Sequence, residues 1–80
     1  MKFLNKIPHV DVDITVYEWN TKYIFKFEWN GFEQTYKVAQ FDIASKAEVE
    51  AALTPAFIAQ VVERFEGMQE QWEEALGLAL

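Results

Sequence analysis

Eighty residues without a cysteine allow one small domain, held by its apolar core with no disulfide or thiolate metal site to help. Thirteen Asp and Glu against seven Lys and Arg give a net charge of −6 and a pI near 4.6. That balance excludes nucleic acid and anionic membrane as ligands, since both need clustered cations.

Met1–Pro8 lacks the apolar run of a signal peptide and no stretch is long enough to span a bilayer, so a cytoplasmic setting is expected. From Val10 to Trp19 the residues alternate, with Val10, Val12, Ile14 and Val16 opposed to Asp11, Asp13, Thr15, Tyr17 and Trp19. Lys22–Trp29 continues the pattern, setting Tyr23, Phe25, Phe27 and Trp29 against Lys22, Ile24, Lys26 and Glu28. Asn30-Gly31 then suits a type I′ turn, which needs positive φ at both central residues. Phe32, Gln34, Tyr36 and Val38 follow on the apolar side of a third strand. This turn pairs Trp29 with Phe32, Phe27 with Gln34, Phe25 with Tyr36 and Tyr23 with Val38. A turn at Asn20-Thr21 pairs Val16 with Phe25, Ile14 with Phe27 and Val12 with Trp29. The large apolar residues of these pairs then share one face, and a slip of one residue would reverse it.

Ser45-Lys46-Ala47-Glu48 fits a capping box opening a short helix over 46–53, with Val49, Ala52 and Leu53 inward. Thr54 as N-cap and Pro55 at the first helical position start a long helix over 55–79. Its apolar stripe runs through Phe57, Ile58, Val61, Val62, Phe65, Met68, Trp72, Leu76 and Leu80. The reading is a single α+β domain: a three-stranded antiparallel meander over 10–40, one face covered by the long helix. The core should contain Val12, Ile14, Val16, Phe25, Phe27, Tyr36, Val38, Phe57, Val61, Phe65 and Met68. About 24 helical residues extend roughly 36 Å, beyond strands of about 26–33 Å. Trp72, Leu76 and Leu80 therefore project past the sheet. Either Met1–Ile7 folds back over them as a fourth strand through Phe3, or another chain does, which makes a homodimer one expectation.

Glu63, Glu66, Glu70 and Glu74 follow three or four apart along this helix, with Glu73 beside them. Like charges at that spacing cost a few tenths of a kcal/mol per pair, and they crowd the end where the macrodipole prefers cations. The stripe reads as a solvated face or as a docking surface for a basic protein groove. Tyr17, Trp19 and Ile24, outward beside Lys22 and Lys37, read as an interface hot spot or as aromatics shielded by lysine stems.

His9-x-Asp11-x-Asp13, with Glu28 and Glu33 opposite, offers ligand types for a divalent cation. Side chains two apart on a strand are separated by about 7 Å, and Lys26 and Lys37 lie close enough to neutralise the group. No metal and no cofactor is expected. Catalysis has no constellation either: His9 is the lone imidazole, Ser45 is a cap, and there is no glycine-rich phosphate loop. The chain is not expected to be an enzyme.

Met1-Lys2-Phe3, Ile14-x-Val16-Tyr17-Glu18 before the first turn, Asn30-Gly31, and Phe41-Asp42 ahead of a Glu-bearing helix occur in order over about the first fifty residues. In this the chain resembles small phage-encoded anti-CRISPR proteins that inhibit type I-F systems. Beyond Leu53 the long acidic helix departs from that pattern. The resemblance implies a protein that blocks a CRISPR surveillance complex by binding a subunit through its sheet face, with Tyr17 and Glu18 as the positions carried over. The functional expectation is a non-enzymatic module that binds a protein of basic or mixed surface. A small-ligand binder lined by Tyr23, Trp29 and Trp72, and a structural homodimer through Trp72, Leu76 and Leu80, are the alternatives.

Overall fold

Asn20 and Thr21 take φ of +53° and +61°, and Asn30 and Gly31 take +51° and +83°, so both hairpins close through left-handed two-residue turns. The structure, a computed structural model, describes residues 1–78. The turns fold β2 (Asp13–Trp19), β3 (Lys22–Trp29) and β4 (Phe32–Ala39) into an antiparallel meander. Val16 lies opposite Phe25, Ile14 opposite Phe27, Phe27 opposite Gln34 and Phe25 opposite Tyr36, as the hydrophobic pattern requires. The expected pairing of Val12 with Trp29 does not form, because β2 begins at Asp13. The His9 ring accepts the Asp11 N–H at 3.1 Å and bends the preceding loop. Val12 is still buried, but Val10 is 95% exposed rather than inward.

The fourth strand is real: β1 (Lys2–Ile7) pairs antiparallel with β2 and gives the order β1-β2-β3-β4. A bulge at Leu4 interrupts the register between Phe3, opposite Tyr17, and Asn5, opposite Val16. It lets Leu4 pack on the core while Phe3 stays on the other face, edge-on to Tyr17 with ring centroids 6.2 Å apart.

After a 3-10 turn (Gln40–Asp42), α1 (Lys46–Ala52) and α2 (Pro55–Ala75) cover one face of the sheet. Ser45 Oγ accepts the Glu48 N–H at 3.3 Å, but the Glu48 carboxylate accepts from Ala44 N–H at 2.8 Å, one residue upstream of a true capping box. Thr54 Oγ1 accepts the Phe57 N–H at 3.2 Å, with Pro55 at the first position. The long helix stops at Ala75, short of the expected 79. Gly77, at φ +71°, donates to the Glu74 carbonyl, and Leu78 N–H donates to that of Glu73. That is a Schellman stop, and it needs the left-handed residue that glycine supplies. Leu80 lies outside the described residues.

Ile58, Val61 and Phe65 bury against Val12, Ile14, Val16, Phe25 and Phe27. Phe57 meets Phe27 and Tyr36 at centroid distances of 6.0 and 5.5 Å. Tyr36, expected in the core, is 37% exposed at the sheet edge, and Val38, Phe57 and Met68 are half-buried. A polar clamp explains why Gln34 sits on the apolar side of β4. Its Nε2 donates to the Val61 carbonyl at 2.8 Å, and its Oε1 accepts from Arg64 Nε at 3.1 Å. Arg64 also donates to the Tyr36 hydroxyl at 3.0 Å.

Phe57 lies beside Tyr36, Arg64 beside Gln34 and Gln69 beside Asn30, so α2 runs antiparallel to β4 and leaves the sheet at the Asn30-Gly31 end. Trp72, Leu76 and Leu78 remain 56%, 52% and 56% exposed there. Met1–Ile7 does not cover them, being committed to the edge of β2. Among the described residues no helix is long and apolar enough to cross a membrane.

Candidate functional site

Both helices pack on one face of the sheet, and the pleat sends alternate side chains to the other, which no element covers. Tyr17 and Ile24 are directly opposed there, as are Trp19 and Lys22, and Thr15 and Lys26. Ile24 is only 4% exposed and Thr15 is buried as well, although no second layer lies above them. Their neighbours do the shielding: a hollow of about 690 Å³ is lined by Met1, Trp19, Ile24, Lys26, Glu33 and Lys37. Trp19, which lines it, and Phe3, opposite Tyr17 on the same face, are each 54% exposed. The sheet thus presents aromatic bulk around a dry aliphatic floor.

The rim is charged on both sides. Lys26 Nζ lies 3.3 Å from Glu33 Oε1 and 6.0 Å from the Tyr17 ring centroid. The hydrogen bond and charge of Glu33 hold the Lys26 ammonium above its ordinary pKa. Thr35 Oγ1 donates to the other Glu33 oxygen at 3.2 Å. Lys37 has no ion-pair partner among the described residues.

Glu18 is not part of this face. Alternation turns it to the helix side, opposite Tyr23, where Gln40 Nε2 donates to its carboxylate at 2.6 Å. Of the positions expected to bind, Tyr17 and Trp19 come together and Glu18 is separated from them.

Glu63, Glu66, Glu70 and Glu74 are exposed on α2, whose other side packs on the sheet, so they face away from Tyr17 and Trp19. Glu73 is half-buried and accepts from Gln69 Nε2 at 2.7 Å. The acidic and aromatic surfaces are therefore two, on opposite sides of the molecule. Charge divides in the same way: residues 1–41 hold five acids and five bases, and residues 42–80 hold eight acids and two bases.

The His9, Asp11 and Asp13 group does not converge, and among the described residues no three His, Asp or Glu side chains could hold a metal ion. Tyr23 and Trp29 do not share a pocket, since they occupy opposite ends of β3, facing Val38 and Phe32. An apolar hollow of about 200 Å³ lies instead between β4 and the junction of the helices and is lined by Tyr36, Val38, Leu53 and Phe57 among others.

Met1 and Phe3 were absent from the sequence-level site. Pairing Phe3 with Tyr17 would have revealed them, but the bulge hides that strand's alternation. Comparison with known protein families, with curated proteins and with solved structures returned no significant match to this chain.

Proposed function

We propose that the chain is a non-enzymatic protein-binding module whose uncovered sheet face docks on a protein surface of mixed charge. The observation that carries this reading is the half-exposed Phe3 and Trp19 beside a buried Ile24 on a face with no covering layer. Aromatics around a desolvated centre are the composition of an interface hot spot, and the rim pair of Lys26 and Glu33 supplies polar contacts of both signs. The resemblance to type I-F anti-CRISPR proteins implies contact through the sheet face; of its two positions Tyr17 lies on this face and Glu18 does not, and the partner it proposes is a subunit of a CRISPR surveillance complex.

The test is binding of the purified chain to a purified type I-F surveillance complex, beside Trp19→Ala and Tyr17→Ala variants. The expected result is tight binding weakened about thirtyfold or more by Trp19→Ala, with the fold retained. No binding by the wild type removes that partner. Equal binding by both variants removes the face. Reversing Glu66, Glu70 and Glu74 to Lys is the control, because these side chains face the other way and should change salt dependence more than affinity.

A further inference from the structure

β1 and β4 form the two edges of the sheet, and they are not equivalent. The bulge at Leu4 interrupts β1, whereas β4 runs for eight residues in unbroken register without a proline. Free edges of that length are normally interrupted, because each unpaired N–H and C=O can accept another strand. The two-residue turn makes Trp29 and Phe32 the first hydrogen-bonded pair, so Gln34, Tyr36 and Val38 also turn their backbone groups toward β3. The backbone groups of Glu33, Thr35 and Lys37 point off the sheet.

The side chains of this edge complement their own reversed order. When Thr35 is laid against Thr35 of an antiparallel second copy, Glu33 falls opposite Lys37, Gln34 opposite Tyr36 and Phe32 opposite Val38. Threonine pairs and opposite charges are favourable cross-strand neighbours, and each unlike pair occurs twice about the two-fold axis. The residues that meet as hydrogen-bonding partners in this register, 33, 35 and 37, are the ones whose backbone groups are free. Lys37, without an ion-pair partner among the described residues, gains one from Glu33 of the second copy.

The helical layer agrees with the same axis. At the Phe32 end of the edge, Phe32, Met68 and the exposed Trp72 surround a shallow recess. At the Val38 end lies the apolar hollow of about 200 Å³. A two-fold axis through Thr35 carries each copy's Phe32–Trp72 corner toward the other's hollow. We propose that β4 pairs with β4 of a second copy about Thr35, joining two four-stranded sheets into one of eight strands. This pairing leaves the uncovered faces open and side by side, so it stands independently of the proposed protein partner.

Sedimentation velocity from low micromolar to near-millimolar concentration tests it. The wild type should pass from monomer to dimer. Glu33→Lys and Lys37→Glu each set like charges against one another across the axis and should weaken self-association about tenfold or more. Mixed together, the two variants restore opposite charges at both contacts and should associate as tightly as the wild type. Circular dichroism checks that each variant folds. Hydrogen exchange on the wild type provides a readout without substitution: the amides of Glu33, Thr35 and Lys37 should slow as concentration rises. A monomer throughout, a dimer indifferent to both substitutions, a mixture no tighter than the single variants, or unprotected edge amides would each overturn the proposal.

Discussion

Trp29 stacks on Phe65 with ring centroids 5.7 Å apart and planes 27° from parallel. This contact pins the middle of α2 to the end of β3, as Phe57 against Phe27 pins its start. Phe65 and Phe27 are both fully buried. Truncating either to Ala should cost about 3–5 kcal/mol, comparable to the whole stability of a domain this size. Circular dichroism melts should show the cooperative transition collapse for both variants. An unchanged melt would place that ring outside the core.

Thr21 sits at φ +61°, a region that β-branched residues rarely occupy. Its carbonyl accepts the Gln40 N–H at 2.9 Å, which ties the turn to the chain entering the helices. Thr21→Gly relieves the strain and keeps that backbone bond. The substitution should stabilise the protein by about 1 kcal/mol, raising Tm by about 4–8 °C. A lower Tm would show that the hydroxyl, which donates to the Asn20 carbonyl at 2.6 Å, outweighs the strain.

Gln34, Tyr36 and Arg64 form a closed polar ring between β4 and α2. Gln34→Ala removes the side chain that donates to the Val61 carbonyl and accepts from Arg64 and Tyr36, and should cost about 1–2 kcal/mol. Arg64→Ala, at an exposed position, should cost less. In urea melts, the double variant should lose less than the two single losses combined, by about 0.5 kcal/mol or more, because the residues share partners. Strict additivity would mean that the ring is not formed in solution.

The raised pKa of Lys26 predicts a pH dependence whose sign is fixed. A cation with a folded pKa above its unfolded value contributes stability that is complete below the unfolded value and fades as pH rises through the folded one. The contribution from Lys26 should therefore be flat through neutrality and fade only above its ordinary 10.5. Lys26→Met should remove that alkaline slope and leave the neutral plateau flat. An alkaline slope unchanged by Lys26→Met would show that this ammonium does not carry it.

The meander was legible because Asn30-Gly31 sets a register that the alternation of Phe25, Phe27 and Tyr36 then repeats. Both caps were legible too, at Ser45 and Thr54. Three features were hidden. The bulge at Leu4 broke the alternation that would have announced β1. The His9 ring turned the loop and took Val10 out of the alternation. Ile24 alternated with the polar residues of β3, yet its cross-strand neighbours dried it without a second layer. Neighbour shielding depends on which strands become adjacent, and period-two alternation within one strand does not carry that information.

Because all the surplus negative charge follows residue 41, the two halves of the molecule feel an external field differently. Approaching a surface bordered by acidic groups, the chain experiences a torque that swings the helices outward and leads with the strands. Salt shortens the range of that alignment to about 10 Å at 0.1 M. The polypeptide is thus oriented before it touches anything, by the uneven placement of its acids and bases alone.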